Sequence, residues 1–378
     1  MVFMIFTRDR DSGDTEPYRG VPRNIWTRVG KAQVYYASPE HQSLRNIRRL
    51  IIQVAPDVIY LNSLFNPKMT LQVLWLRRLK LIPEIPVVLA PRGELGAGAL
   101  AHKAAKKKRF LGLAKIIQLY DGVVWQASTV YEQRDIRAVF GAAAKIRIAP
   151  ILSADPADIG AGKADAGAPV RPAKSVGVLR AAYLSRIVPV KNLKAALEAM
   201  KHISGDVTFD VFGPIEDAAY WRECENLARR LPDNVKVNYR GPVAHENVTH
   251  TLAQYHVLIL PTTGENFGHV IIEALASGCP VLISDRTPWR GLLEAGVGRD
   301  VPLNDESGWI CAVQEFVNMD EDAIAKMSCA ARRFAAEQRM DPIALEQNMR
   351  LFATPVDPAI TSPRGAPPQH GALWNGDQ

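Results

Sequence analysis

The run Val257–Pro261 is apolar throughout and leads, through a polar turn containing Gly264 and Gly268, into a stretch of helical period, Gly268–Ser277. A strand without polar alternation expects cover on both faces, the situation of an inner strand in a parallel sheet. Parallel neighbours need a crossover, and a helix of this kind supplies one. The same unit recurs along the chain. Candidate strands lie at Val2–Phe6, Gln33–Ala37, Val58–Asn62, Val87–Ala90, Val123–Gln126 and Ile146–Ile151. A second group lies at Arg180–Leu184, Thr208–Phe212, Lys236–Tyr239, Val257–Pro261, Val281–Ser284 and Trp309–Cys311. Helical stretches such as Gln42–Val54, Asn192–His202, Ala218–Arg230 and Gly268–Ser277 separate them. The alternation predicts an α/β fold with parallel sheets covered on both faces. At 378 residues the chain has the length for two such domains.

Residues 153–174 interrupt the pattern with Ala, Gly, Asp and Pro and no period. We read 153–175 as a linker between a first domain at 1–152 and a second at 176–335. Helical period returns at Glu321–Arg339 and Pro342–Leu351, and the helix over 336–352 is expected to cross back to the first domain. Residues 353–378 are dominated by Pro, Gly and polar side chains and are expected to be disordered.

Charge divides the chain. Residues 1–150 carry 24 Lys and Arg against 11 Asp and Glu, a net +13, and the remainder carries −6. A basic half suits an anionic partner: membrane lipid, an anionic acceptor or nucleic acid. Four scattered cysteines, Cys224, Cys279, Cys311 and Cys329, have neither zinc nor redox-motif spacing, which points to a reducing compartment. No apolar run approaches the length of a membrane span, and the first residues lack the pattern of a secretory signal.

The turn before Gly268–Ser277 has the makings of an anion site. The first amides of a helix have no partner inside it, and the helix dipole favours negative charge there. Gly264 and Gly268 remove side chains where a ligand approaches the backbone. Glu265 and Glu273 are eight positions apart, so they are expected to sit roughly 12 Å apart along a helix axis. That is about the reach from the sugar of a sugar nucleotide, past its diphosphate, to its ribose.

Three pieces in order resemble the nucleotide-binding domain of the retaining family-4 glycosyltransferases, which have the GT-B fold. They are Tyr183-Leu-Ser-Arg186-Ile-Val-Pro-Val-Lys191-Asn-Leu, Phe209-Asp-Val-Phe-Gly213-Pro, and Pro261-Thr-Thr-Gly-Glu265-Asn-Phe-Gly-His-Val-Ile-Ile-Glu273 with the strand that ends at Asp285. The resemblance spans residues 176–315. It implies two Rossmann-like domains facing a cleft, a retaining transfer of a sugar from a UDP- or GDP-sugar, and no metal or other cofactor. It places Arg186 and Lys191 on the diphosphate, Glu265 near the donor sugar, Glu273 on the ribose, and Gly213, Asn266, Phe267 and Gly268 around the donor. Taken singly, a glutamate at a helix start or a Lys-Asn before a helix is an ordinary surface or capping feature. The combination in order is what carries the reading. Ser284-Asp-Arg-Thr-Pro-Trp289 resembles a segment of bacterial envelope-sugar members; its bland alternative is a turn with a packed tryptophan.

In the first domain, Val58–Phe65 and Val87-Val-Leu-Ala-Pro-Arg92-Gly-Glu94 resemble members that build bacterial surface polysaccharides, which implies Arg92 and Glu94 as acceptor-side positions facing the cleft. The alternative is a turn in which Arg92 pairs with Glu94. Family members begin with a strand, a glycine-rich loop and a helix before the strand that aligns with Val2–Phe6. The expectation is therefore a first domain lacking its first β-α unit, through a misassigned start or a shortened form; otherwise Val2–Phe6 is itself the first strand. A shortened form leaves open a non-catalytic remnant that binds a nucleotide sugar or a partner. Asp9-Arg-Asp11 matches a metal-binding triplet of other transferases, a match short enough to arise by chance.

The stretch His102–Ile116 sets Lys103, Lys106, Lys107, Lys108 and Arg109 beside a helix with an apolar face. It suits an anionic membrane surface, where a lipid-linked acceptor would be met. The alternative is a solvated helix face. Nucleic acid is disfavoured because aromatics are not interleaved with the charges. An NAD enzyme is disfavoured because no Gly-x-Gly-x-x-Gly follows a strand. The expected location is the cytoplasm, in part peripheral on the inner membrane.

Overall fold

A computed structural model describes residues 2–11, 14–101, 103–152, 171–339 and 342–353. Most of the linker stretch, 153–170, and the tail 354–378 lie outside the described residues. The chain divides into two compact units, which among the described residues comprise 2–149 with 347–353, and 150–346.

The first unit runs β1 (Phe3–Arg8), β2 (Trp26–Val29), β3 (Ala32–Ala37), α1 (Leu44–Val54), β4 (Ile59–Asn62), α2 (Gln72–Arg78), β5 (Val87–Ala90), α3 (Ala97–Ala101), α4 (Ala104–Ile116), β6 (Val124–Ala127), α5 (Val130–Phe140) and β7 (Ile146–Ile148). Its strands form a three-stranded sheet, β1-β3-β2, and a parallel four-stranded sheet, β4-β5-β6-β7. In the smaller sheet β1 pairs parallel with β3, and β2 and β3 form a hairpin turning at Gly30 with φ of 56°. Sequence reading missed β2, although glycine at a hairpin turn is a recognised signal.

The second unit runs β8 (Val178–Leu184), α6 (Leu193–Met200), β9 (Asp206–Phe212), α7 (Ala218–Ala228), β10 (Val235–Gly241), α8 (Val248–Leu252), β11 (Val257–Leu260), α9 (His269–Ser277), β12 (Val281–Ser284), β13 (Gly298–Val301), α10 (Glu306–Asn318) and α11 (Glu321–Arg339), followed by α12 (Pro342–Phe352), whose residues from Gln347 group with the first unit. One six-stranded sheet has the order β10-β9-β8-β11-β12-β13, parallel throughout. Every residue of β11 and β12 is buried, as the apolar runs 257–260 and 281–283 require. Each such side chain contributes about 1.5–3 kcal/mol of burial. The order reverses at β8, with β9 on one side and β11 on the other. Ligands of open parallel sheets bind at such a switch point, outside the carboxyl ends of the strands.

One expectation is corrected. Trp309–Cys311 is helix, not strand: it lies in α10, whose buried residues Trp309, Ala312, Val313, Phe316 and Val317 follow helical spacing. Asp305 caps that helix, accepting from the Gly308 amide at 2.9 Å. The sixth strand is instead β13, whose polar middle, Arg299 and Asp300, hid it. The start of the second unit is tied down before β8. Buried Lys174 donates from Nζ to the carbonyls of Ser175, Val317 and Met319, the last two where α10 ends. Among the described residues no helix is long and apolar enough to cross a membrane.

Candidate functional site

Two loops leave the carboxyl ends of β8 and β11, the neighbouring strands at the switch point, and they are stitched together. The Val190 carbonyl accepts from the Thr263 amide at 2.8 Å, from Thr262 Oγ1 at 3.0 Å and from Thr263 Oγ1 at 3.1 Å. Three donors on one carbonyl fix the peptide from which Lys191 projects. Lys191 Nζ then pairs with Glu265 Oε1, and the two side chains are only 13% and 11% exposed. The Glu265 amide donates to the Arg286 carbonyl at 2.9 Å, and Ser284 Oγ to the Thr262 carbonyl at 2.5 Å, so the loop after β12 also holds the turn.

The turn ends at Gly268, with φ of 78°; a Cβ there would lie 2.8 Å from Ile271 Cδ1, so this glycine is demanded by the fold. At Gly264 nothing lies within 4 Å of such a Cβ. Glu265 sits in the loop, four residues before the start of α9, so an axial spacing to Glu273 does not apply. Asn266 is half-buried. The Phe267 ring stands 5.3 Å from that of Trp289 and 4.9 Å from His269, and Trp289 Nε1 donates to the Phe267 carbonyl. Trp289 and the Ser284 segment thus frame the turn. Glu273 lies on the second turn of α9, with His245 Nδ1 3.6 Å from its Oε1.

Arg186 takes a different partner. It forms an exposed ion pair with Glu216, Nη1 to Oε2 at 2.9 Å. The loop carrying Glu216 runs beside the loop carrying Arg186, joined by Ile187 N to Pro214 O at 2.9 Å and Ser185 N to Phe212 O at 3.1 Å. Gly213 makes this approach achievable: its φ is 130°, and a Cβ would fall 1.8 Å from the Ser185 carbonyl oxygen. Lys191, Glu265 and the turn before α9 are therefore one cluster, with Gly213 and Arg186 on the neighbouring β8–β9 edge. The partners Glu216 and His245 were not singled out from sequence; Glu216 follows Gly213 by three positions, a proximity that could have drawn attention.

In the first unit Arg92 adopts φ of 55°, donating from Nε to Asn62 Oδ1 at 2.7 Å and from Nη2 to the Tyr60 hydroxyl at 2.8 Å. Its partner is not Glu94. Glu94 accepts from Ser63 Oγ at 2.9 Å, from the Phe65 amide at 3.2 Å and from the Leu64 amide, and so holds the loop after β4. Buried Glu132 holds the Pro91–Glu94 turn from below, accepting from the amides of Gly93 and Ser128, each at 2.7 Å. Lys103, Lys106, Lys108 and Arg109 are exposed along or just before α4. Lys107 is engaged, donating to the Ala99 carbonyl with its Nζ 5.3 Å from the Phe65 ring centroid. The Asp9-Arg-Asp11 triplet is taken up in scaffolding: Asp9 is buried against Arg10 and Arg23, and Asp11 accepts from the Tyr18 hydroxyl at 2.7 Å. Among the described residues no group of three His, Cys, Asp or Glu side chains is placed to hold a metal ion.

Residues 172–333 match the family model described as Glycosyl transferases group 1. A D-inositol 3-phosphate glycosyltransferase of Streptomyces coelicolor is 31% identical over 121 residues, 32% of this chain and 26% of that one. A phosphatidyl-myo-inositol mannosyltransferase of Mycolicibacterium smegmatis is 34% identical over 93 residues, 24% of this chain and 23% of that one. These matches span about a quarter of the length of those relatives. Among solved structures, sucrose-phosphate synthase from Thermosynechococcus elongatus superposes with a TM-score of 0.64 at 19% identity, over 93% of this chain and 89% of that one. The Anabaena protein HepE in complex with UDP and glucose gives 0.58 at 19% identity, over 85% and 84%. These likenesses show the fold, which is α/β with parallel sheets, of the GT-B kind. The family match lies within the second unit, and the fold agrees with it.

Proposed function

We propose that this chain transfers a sugar from a UDP- or GDP-sugar to a saccharide or lipid-linked acceptor, with retention at the anomeric carbon, in the synthesis of bacterial surface polysaccharide. The observation that carries this reading is the Lys191–Glu265 pair, set by the Val190 carbonyl at the switch point of the sheet in the second unit. Cleavage of the bond between C1 and the diphosphate oxygen builds negative charge on the departing diphosphate, and fixed cations and amides aimed there lower the barrier. Lys191 supplies a point charge, Arg186 a two-pronged donor, and the start of α9 the positive end of its helix dipole. In this reading the diphosphate replaces Glu265 as the partner of Lys191 and draws Arg186 away from Glu216, an exposed pair that costs little to break. Glu265 then faces the donor sugar, and Glu273 accepts hydrogen bonds from the ribose hydroxyls. The two cations carry the leaving-group charge, so the reaction asks for no metal ion or other cofactor. Arg92 is assigned to the acceptor side, and the basic helix α4 to an anionic membrane surface on the cytoplasmic side.

The names of similar proteins support the substrate class: one acts on an inositol phosphate, another is a mannosyltransferase, and the HepE structure holds UDP and glucose. The test is calorimetric titration of the chain with UDP and GDP, followed by a panel of their sugars with product anomers assigned by NMR. Binding of one nucleotide and release of it from its sugar are expected. Absence of binding by both nucleotides overturns the site, and binding without transfer to any acceptor favours the non-catalytic remnant.

A further inference from the structure

Helix α4 is apolar on two faces. Leu111 and Ala114 are buried in the core of the first unit, with Phe110 packed against that core. On the outside, Leu113 and Ile116 are 57% and 80% exposed. A helix with an apolar face on each side expects cover on both, and the described residues cover only one. The outer face is ordered. Lys106, Arg109, Leu113 and Ile116 follow one another at spacings of three, four and three, which lines them up along the rod. Lys108 and Lys115 lie together on one side of the line, and both are exposed.

The end of α4 adjoins the end of α2. Arg78 Nε donates to the Ile117 carbonyl at 2.9 Å, and Arg77 donates to the Asp121 carbonyl. Just there α2 and the residues after it expose Trp75, Leu79 and Leu81 among Arg78 and Lys80. Two helix ends thus present apolar side chains amid cations, on a segment of net +13. Cations alone would suit any polyanion. Leucine, isoleucine and tryptophan set between them suit a surface with an anionic outer layer and an apolar interior.

We propose that the outer face of α4, continued by the end of α2, docks the chain on an anionic lipid bilayer, with Leu113, Ile116 and Leu79 entering the boundary between headgroups and acyl chains. This rests on the membrane partner assigned under the proposed function and makes the apolar residues, rather than the lysine run alone, part of the contact. Lys107 stands outside it, being held against Ala99 and Phe65.

The experiment uses the full chain and vesicles of phosphatidylcholine alone or mixed equally with phosphatidylglycerol, with binding read by co-flotation at low and high salt. Wild type is expected to float with the mixed vesicles only. K106Q/K108Q/K115Q should lose about a hundredfold in affinity at low salt, at roughly fivefold per cation. L113S/I116S should lose at least tenfold at both salt concentrations, because apolar insertion is not screened. Both variants change exposed side chains, and an unchanged melting temperature confirms folding. Failure of wild type to float, equal flotation of L113S/I116S, or tight binding to single-stranded RNA in place of vesicles overturns the proposal. UDP titration of the same samples separates this outcome from failure of the donor site.

Discussion

Lys191 Nζ and Glu265 Oε1 neutralise one another across two loops that lie 74 residues apart in sequence. Under the proposed function the cation assigned to the diphosphate is compensated here by the carboxylate assigned to the sugar. The two halves of the pair should respond oppositely to removal. K191A takes away a charge-assisted contact of about 1.5–3 kcal/mol and should weaken UDP or GDP binding roughly ten- to a hundredfold. E265Q frees Lys191 and lowers the negative charge facing the diphosphate, so nucleotide affinity should hold or rise while sugar transfer slows. Calorimetry of both variants decides it, and equal weakening by both would sink the assignment.

The site glycines separate into those the fold demands and one it does not. G213A places a methyl against the Ser185 carbonyl at a positive φ and should cost about 3 kcal/mol or more, with a clear fall in melting temperature. G264A meets nothing within 4 Å in the chain, so the melting temperature should stay near wild type. Any loss of nucleotide-sugar affinity in G264A then reports a ligand passing close to the backbone. A destabilised G264A, or one that binds the sugar nucleotide unchanged, removes Gly264 from the site.

The centre of the second unit was readable because β11 and most of β12 are apolar runs, and burial on both faces of a parallel sheet leaves that mark in sequence. Trp309–Cys311 was misread because three successive apolar residues carry no period. β13 escaped because Asp300 is spent on neighbours, accepting from the Leu292 amide at 3.0 Å and pairing with Arg290 at 3.2 Å, so the strand shows charge where apolar residues were sought. The loops bearing Lys191 and Glu265 stood out in sequence, since glycines and charges at the ends of strands are local features. Their partners did not stand out. Glu216 for Arg186 and His245 for Glu273 depend on which loops the strand order brings side by side, and strand order is not written in any one segment.

Glu132 carries the Pro91–Glu94 turn on two buried amides, so its removal should be felt in the first unit. E132A leaves the amides of Gly93 and Ser128 without their acceptor, at about 1–3 kcal/mol each. Glutamine keeps one acceptor oxygen, so E132Q should lie between wild type and E132A in urea unfolding. Nucleotide binding by the second unit should remain. A loss below about 1 kcal/mol in E132A would show that the turn holds without it.

His256 should make the second unit sensitive to mild acid. It is buried, accepts from the Arg180 amide through Nδ1 at 3.0 Å, and faces the Pro172 carbonyl through Nε2 at 3.1 Å, which fixes the neutral ring with its proton on Nε2. Burial is the chief cause that pushes its pKa from 6.5 down to about 4. Between those values the unfolded chain takes up a proton that the folded chain refuses. Stability should therefore fall as pH drops from about 6.5 to about 4, by on the order of 3 kcal/mol in total for this one group. The carboxylates of Asp9 and Glu321 are held below their ordinary range, first by a hydrogen bond from Arg10 and from the Lys174 amide respectively, so their contributions are lost as pH falls through and below the ordinary carboxylate range. H256Q should be less stable than wild type at pH 7 but lose less on acidification to pH 5. Urea unfolding of both proteins at the two pH values measures the difference, and parallel losses would show that His256 is already protonated in the folded chain.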